Sequence, residues 1–240
     1  MRTVRAEPPV ETGTTEGLAW ARFAPRAANA PGPTHGVVVL HGADSTKENH
    51  FDFARACAAG GLAAIVFDAR GHGATGGALD GRAIDDVALM ADVLRERGGV
   101  EAVGLRGSSM GGWFALVAAR AARAAAVVPI CPASAIGLSA GVRGRRFGFA
   151  ADRDALVALL DAHDETEAAG ALDVPLLLLH AAGDETVPVE LSRALHAAAP
   201  SSKLVVVPGG HHRSIQHDPE LQGEAVRFLA RALRAASPGL

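Results

Sequence analysis

The chain has 240 residues, 49% of them hydrophobic and 20% charged, with a formal net charge of −3. That is enough apolar material for one large folded core, which excludes a disordered chain. No basic stripe with interleaved aromatics occurs and no apolar run approaches the roughly 18 residues of a membrane span, so neither nucleic acid nor membrane is an expected partner. The opening MRTVRAEPPVETGTTEG lacks the apolar core of a secretion signal, and a cytoplasmic protein is expected. Cys57 and Cys131 match no metal-ligand or redox spacing, so no metal and no cofactor is assigned.

Residues 1–35 are rich in proline, threonine and glycine, and short segments at 2–6 and 18–23 suit an antiparallel edge. From there strand-like and helix-like runs alternate. GVVVLHG precedes a helix at 51–59, LAAIVFDAR precedes one at 84–96, and VEAVGLRG precedes one at 110–123. AAVVPIC, VPLLLLH, a helix at 189–198, KLVVVPG and a helix at 220–234 complete the series. Near-continuous valine and leucine runs belong to strands buried on both sides. The rhythm therefore predicts an α/β fold: a doubly wound, mostly parallel sheet of about eight strands with helices on both faces. Between 133 and 173 it breaks into GLSAGVRGRRFGFAADRD and one helical run at 154–162. This stretch is too short for its own core and reads as a small cap or lid insertion in a single domain spanning 1–240.

The segment Gly107-Ser108-Ser109-Met110-Gly111 lies between a predicted strand and a predicted helix. A serine lifted on a sharp strand-to-helix turn crowds its neighbours, so the positions two before and two after must lack a side chain. Only Ser109 has glycine at both, which makes it the candidate nucleophile. A serine hydroxyl is a poor nucleophile at neutral pH and needs a histidine to take its proton and a carboxylate to orient that histidine. In doubly wound sheets such groups gather beyond the carboxyl ends of strands. After VPLLLLH comes Asp184, with Glu185 as the fallback acid, and after KLVVVPG come His211 and His212, which periodicity cannot separate. Met110 N–H, directly after the nucleophile, is placed to stabilise a developing oxyanion.

Taken together, LHGAD at 40–44, FDARGHGATG at 67–76, GSSMGG at 107–112, HAAGDETVP at 180–188 and PGGHHRSIQHDPE at 208–220 resemble the α/β-hydrolase superfamily. The resemblance spans 36–233. It implies the triad Ser109, Asp184 and His212. His212 is favoured over His211 because relatives run Pro-Gly-x-x-His, with a Pro-Glu seven residues after that histidine. It also implies Ala43 as the second oxyanion amide, from His41-Gly42-Ala43.

The expected activity is a serine hydrolase, a carboxylesterase acting on a small-molecule acyl substrate, in a monomer or homodimer. The stretch 41–48 also looks similar to peptidase-like and dienelactone-hydrolase-like branches, so a thioesterase or serine peptidase is the alternative, and a non-catalytic binding protein of the same fold is the alternative of another class. Gly71-His72-Gly73-Ala74-Thr75-Gly76 matches a dinucleotide-binding turn, but no helix begins amid its glycines, and it resembles instead a structural turn of the hydrolases in which Asp68 and Arg70 brace loops. Arg143, Arg145 and Arg146 in the insertion either meet a substrate carboxylate or phosphate or form a solvated face.

Overall fold

The computed structural model describes residues 6–25 and 35–236. The apolar runs become the centre of one sheet, made of β1 (Glu11–Thr15), β2 (Leu18–Phe23), β3 (His35–Leu40), β4 (Ala63–Phe67), β5 (Ala102–Ser108), β6 (Ala126–Ile130), β7 (Leu177–Ala181) and β8 (Lys203–Val207). Their order is β1-β2-β4-β3-β5-β6-β7-β8. Strands β3 to β8 run parallel, while β2 is antiparallel to both β1 and β4.

Successive strand residues point to opposite faces, so each valine-rich run feeds two cores. Val38, Leu40, Ile65, Phe67, Val103 and Leu105 pack toward α2 (Ala83–Gly98), α3 (Met110–Val117) and α7 (Val189–Ala198). Val37, Val39, Ala64, Val66, Leu177 and Leu179 pack toward α1 (Phe51–Ala59) and α8 (Pro219–Ala236). Asp218 caps α8 by accepting from the Glu220 and Leu221 amides, with Pro219 at the first helical position, where its missing N–H costs nothing.

Three local expectations need correction. The edge segment expected at 2–6 lies largely outside the described residues, and the correction at this edge is the added threonine-rich β1, which pairs with β2 and has no apolar run to betray it. Gly13 in β1 leaves room for Trp20, whose ring a Cβ would meet at 2.5 Å. The helix expected at 110–123 is regular only to Val117; tighter turns carry the chain on to a left-handed Arg123, where Ala124 N–H reaches back to Ala119 O at 2.9 Å.

The third correction concerns 133–173, which holds α4 (Ala135–Arg143), α5 (Arg153–Asp161) and α6 (Glu165–Gly170) rather than one helix. Gly137 and Gly141 depress the helical signal of α4, yet Ser134 caps it through Gly137 N–H, and Gly141 is where the Phe147 ring packs. Glu165 ties α6 to the rest of the fold, its Oε2 accepting from Trp113 Nε1 at 3.1 Å and Ala135 N at 3.0 Å. Among the described residues no helix is long and apolar enough to cross a membrane.

Candidate active site

Strand β5 ends and α3 begins around Ser109, whose backbone sits at φ 53°, ψ −116°, a conformation that costs energy for any residue with a side chain. Its surroundings hold it there: Ser109 N–H donates to Ile130 O at 2.9 Å, and Ser109 O accepts from Trp113 N and Ala133 N. The flanking glycines are required by close packing. A Cβ at 107 would overlap the Gly111 carbonyl, and one at 111 would lie 2.5 Å from both His41 O and Leu40 O. The turn thus presses α3 against the end of β3, and Ser109 projects at the sheet's carboxyl edge.

The loop after β3 lies beside that turn. A Cβ on Gly42 would come within 3.3 Å of Ser108 O and 3.4 Å of Ser109 Cβ, so glycine allows the close approach. His41 shapes this loop from beneath. Its Nε2 accepts from Ala69 N–H at 3.0 Å, which leaves the proton on Nδ1 to donate to Gly42 O at 2.7 Å. Burial, with His72 adding to it, pushes the His41 pKa down to about 4 and keeps the ring neutral in this bridging tautomer. Neither Ala43 N–H nor Met110 N–H hydrogen-bonds to a described residue. Asp68 braces the loop further along: its carboxylate accepts from Lys47 Nζ at 2.6 Å, Lys47 N at 2.7 Å and Ala74 N at 2.8 Å. Arg70 forms a paired contact with Asp86, at 2.9 and 2.8 Å. The Gly-x-Gly-x-x-Gly segment is therefore an internal brace.

Beyond β7, the Asp184 side chain is fully buried yet satisfied on both oxygens. Oδ1 accepts from Thr186 N and Val187 N, each at 2.8 Å, and Oδ2 lies 2.7 Å from His212 Nδ1. Burial alone would raise its pKa, but the Val187 amide, His212 and the Thr186 amide outweigh it, and the carboxyl is held below its usual range. His180, at 0% exposure, sits behind it. His180 Nε2 lies 2.9 Å from Val187 O and 3.5 Å from Asp184 Oδ2, and Nδ1 lies 2.7 Å from Ser192 Oγ. Since the Val187 carbonyl can only accept, Nε2 carries the hydrogen and Nδ1 accepts from Ser192. Sequence reasoning missed this histidine, although its place at the head of HAAGD was a usable signal.

A cavity of about 550 Å³ opens over these loops, lined among others by Ala43, Ser109, Arg146, Phe147, Glu185 and His212. Ser109 and His212 thus face one space, though no hydrogen bond joins them directly among the described residues. His211 also borders the cavity but bonds locally, its N–H to Ser214 Oγ, and His217 pairs with Asp52 at 2.8 Å. Of the three arginines, Arg143 pairs with Asp161 at 2.8 Å, Arg145 borders a separate cavity of about 270 Å³, and only Arg146 reaches the main one. Asp44 fixes that wall in place by accepting from Gly148 N and Phe149 N.

Cys131, Asp184 and His212 bring three donor atoms within 4.8 Å of one another. The set suits a metal poorly, because burial pushes the Cys131 thiol up to about 12 and Asp184 Oδ2 is already engaged by His212.

Two family models match this chain. One described as serine aminopeptidase, S33 covers residues 31–152, just over half of it, and one described as TAP-like protein covers 157–236. The chain belongs to the first of these families and, with it, to the α/β-hydrolase superfamily. It is a hydrolase of the α/β fold. Similar solved structures include the Est1E protein of Butyrivibrio proteoclasticus with ferulic acid bound, at TM-score 0.76, 22% identity, and 94% of this chain against 99% of that one. A monoacylglycerol lipase of Paleococcus ferrophilus superposes at 0.66 with 21% identity over 92% and 99% of the two chains. A thermophilic esterase of Thermogutta terrifontis superposes at 0.69 with 21% identity over 92% and 97%. At these identities the likeness carries the fold.

Proposed function

We propose that the protein is a serine hydrolase that cleaves an ester or related acyl bond through an acyl-enzyme, with Ser109 as nucleophile, His212 as base and Asp184 as its orienting acid. The observation that carries this reading is the 2.7 Å contact between His212 Nδ1 and the buried Asp184 carboxylate, in a residue that shares its cavity with Ser109. An ionised carboxylate can only accept, so the His212 proton resides on Nδ1 and the lone pair on Nε2 is left for the Ser109 hydroxyl. As Ser109 Oγ bonds to the acyl carbon, its proton passes to Nε2. The resulting imidazolium is stabilised by Asp184 and gives that proton to the leaving group as the carbon–leaving-group bond breaks. Water then attacks the acyl-enzyme with His212 again as base, returning Ser109 and releasing the acid.

The Ala43 and Met110 amides serve as the oxyanion donors. Met110 occupies the first turn of α3, where N–H groups have no intrahelical partner, and each such donor is worth about 3 kcal/mol in the transition state. Helices α4 and α5 with the loop between them act as the cap, and so short a cap leaves an accessible pocket suited to small or flexible acyl substrates. A panel of nitrophenyl esters of rising chain length, a thioester and an aminoacyl amide, each run beside Ser109→Ala, tests this. Fastest turnover of acetyl or butyryl esters supports a short-chain carboxylesterase. Preference for the thioester or the amide moves the protein to the thioesterase or peptidase reading, and no Ser109-dependent turnover leaves the binding protein.

A further inference from the structure

Arg106 is fully buried at 0% exposure, and its guanidinium makes two hydrogen bonds, neither to a carboxylate. Nη1 meets His50 Nδ1 at 2.9 Å, Nη2 donates to Gln216 O at 3.0 Å, and the Phe53 ring lies 4.6 Å away. Nε has no partner among the described residues. Burial lowers the Arg106 pKa to about 10, which still leaves it charged at neutral pH. Asp52 is the nearby anion that offsets part of this, but no carboxylate touches the guanidinium, and burying a cation without a direct ion pair is costly enough that an apolar side chain of similar length would pack this spot more cheaply. Its presence in this core calls for a task that packing does not require.

The alternation of β5 puts Gly104, Arg106 and Ser108 on the α1/α8 face, where the Gly104 position abuts Leu229 of α8. Both polar members of that row grip one residue, because Ser108 Oγ donates to Gln216 Oε1 at 2.5 Å while Arg106 holds the Gln216 carbonyl. Gln222 Nε2 adds a third tie, to the same carbonyl at 3.0 Å and to Asp52 at 2.7 Å. Gln216 lies four residues after His212, and Ser109 directly follows Ser108. Between β8 and this grip the loop's other hydrogen bonds are Gly183 N–H on Gly209 O at 3.0 Å, the local His211–Ser214 pair and the His212–Asp184 contact, and Ile215 packs beside the grip into the α1/α8 core. One strand therefore carries the nucleophile at its tip and clamps the loop of the base on its face.

We infer that Arg106 is a positioning residue, which fixes the His212 loop relative to Ser109 by holding the Gln216 carbonyl. The inference rests on the reading of Ser109 and His212 as nucleophile and base. Arg106→Met tests it, since it removes the buried charge, fills similar space and leaves Gln216 O with its Gln222 donor, while giving up the contact to His50 Nδ1. The variant should melt no lower than wild type within a few degrees, yet kcat on a short nitrophenyl ester should fall about tenfold to a hundredfold with KM within about twofold. Arg106→Lys, which keeps one donor and the charge, should recover part of kcat.

A folded Met variant with wild-type kcat overturns the inference. If the Met variant does not fold, the Lys variant decides: reduced kcat at unchanged KM supports positioning and wild-type kcat overturns it. Failure of both to fold assigns Arg106 to the fold alone and likewise overturns it. Fluorophosphonate labelling separates this inference from the reading beneath it. Slower labelling of Ser109 in the variants supports the inference, and equal labelling of wild type and variants overturns it alone. No labelling of wild type overturns the reading of Ser109 and the inference with it.

Discussion

Replacing Asp184 with asparagine isolates the electrostatic task of the proposed acid from its structural one. The asparagine oxygen can keep the two 2.8 Å bonds from Thr186 N and Val187 N, so the loop retains its path. Its amide nitrogen then faces His212 Nδ1 at the position of the present 2.7 Å contact. A donor there requires Nδ1 to accept, which moves the ring proton to Nε2 and removes the lone pair that takes the Ser109 proton. A reversed tautomer in such a triad costs roughly 10⁴ in kcat, equivalent to about 5 kcal/mol of barrier. The fold loses far less, about 1 to 2 kcal/mol, because one charge-assisted bond is exchanged for a neutral one. Initial rates on a short-chain nitrophenyl ester, paired with a circular dichroism melt, measure both. A folded Asp184→Asn variant keeping a tenth or more of wild-type kcat refutes the assignment, and loss of activity in Glu185→Gln instead would move the acid to the neighbouring residue.

Acid should weaken the fold through its buried histidines. The folded His41 pKa, pushed down to about 4, lies below the unfolded value near 6.5, so the unfolded chain binds more protons in that window and stability falls as pH drops through it. The His41 share reaches about 3 kcal/mol, and His50 and His72, both lowered mainly by burial, act in the same direction. Urea unfolding between pH 4.5 and 7.5 should show this slope reduced in His41→Gln, and an unchanged slope counts against the buried neutral ring. Gly111→Ala should cost about 3 kcal/mol or prevent folding, since its Cβ meets two backbone oxygens at 2.5 Å. Gly76→Ala, with nothing within 4 Å, should be nearly neutral, and similar melting points for the two variants contradict the packing described at the turn. Glu165→Ala should destabilise by about 2 to 4 kcal/mol by stranding Trp113 Nε1 and Ala135 N, which chemical denaturation reads directly.

Much of this architecture was legible because parallel strands buried on two faces leave continuous apolar runs, and because the crowded turn at Ser109 demands glycine at 107 and 111. The helices at 51–59 and 189–198 were legible for the converse reason, a long amphipathic stretch free of internal breakers. What escaped has physical causes too. β1 is a polar edge, α4 contains two glycines, and α6 has six residues, too few to show a period. Periodicity could not tell His211 from His212; the spacing of the resemblance favoured His212, and it is His212 that contacts Asp184. The role proposed for Ala43 and Met110 is through backbone amides, which side-chain identity does not record. Arg106 and His180 look like oddities in apolar strands until the sheet brings Gln216 to one and Asp184 to the other.

The most direct test is intact-mass analysis of wild type and Ser109→Ala after exposure to a fluorophosphonate, with the modified peptide mapped. A single adduct on Ser109 in wild type and none in the folded alanine variant is the predicted result. Folded wild type that takes no adduct, or an alanine variant that is modified and still hydrolyses ester, would contradict the proposed chemistry.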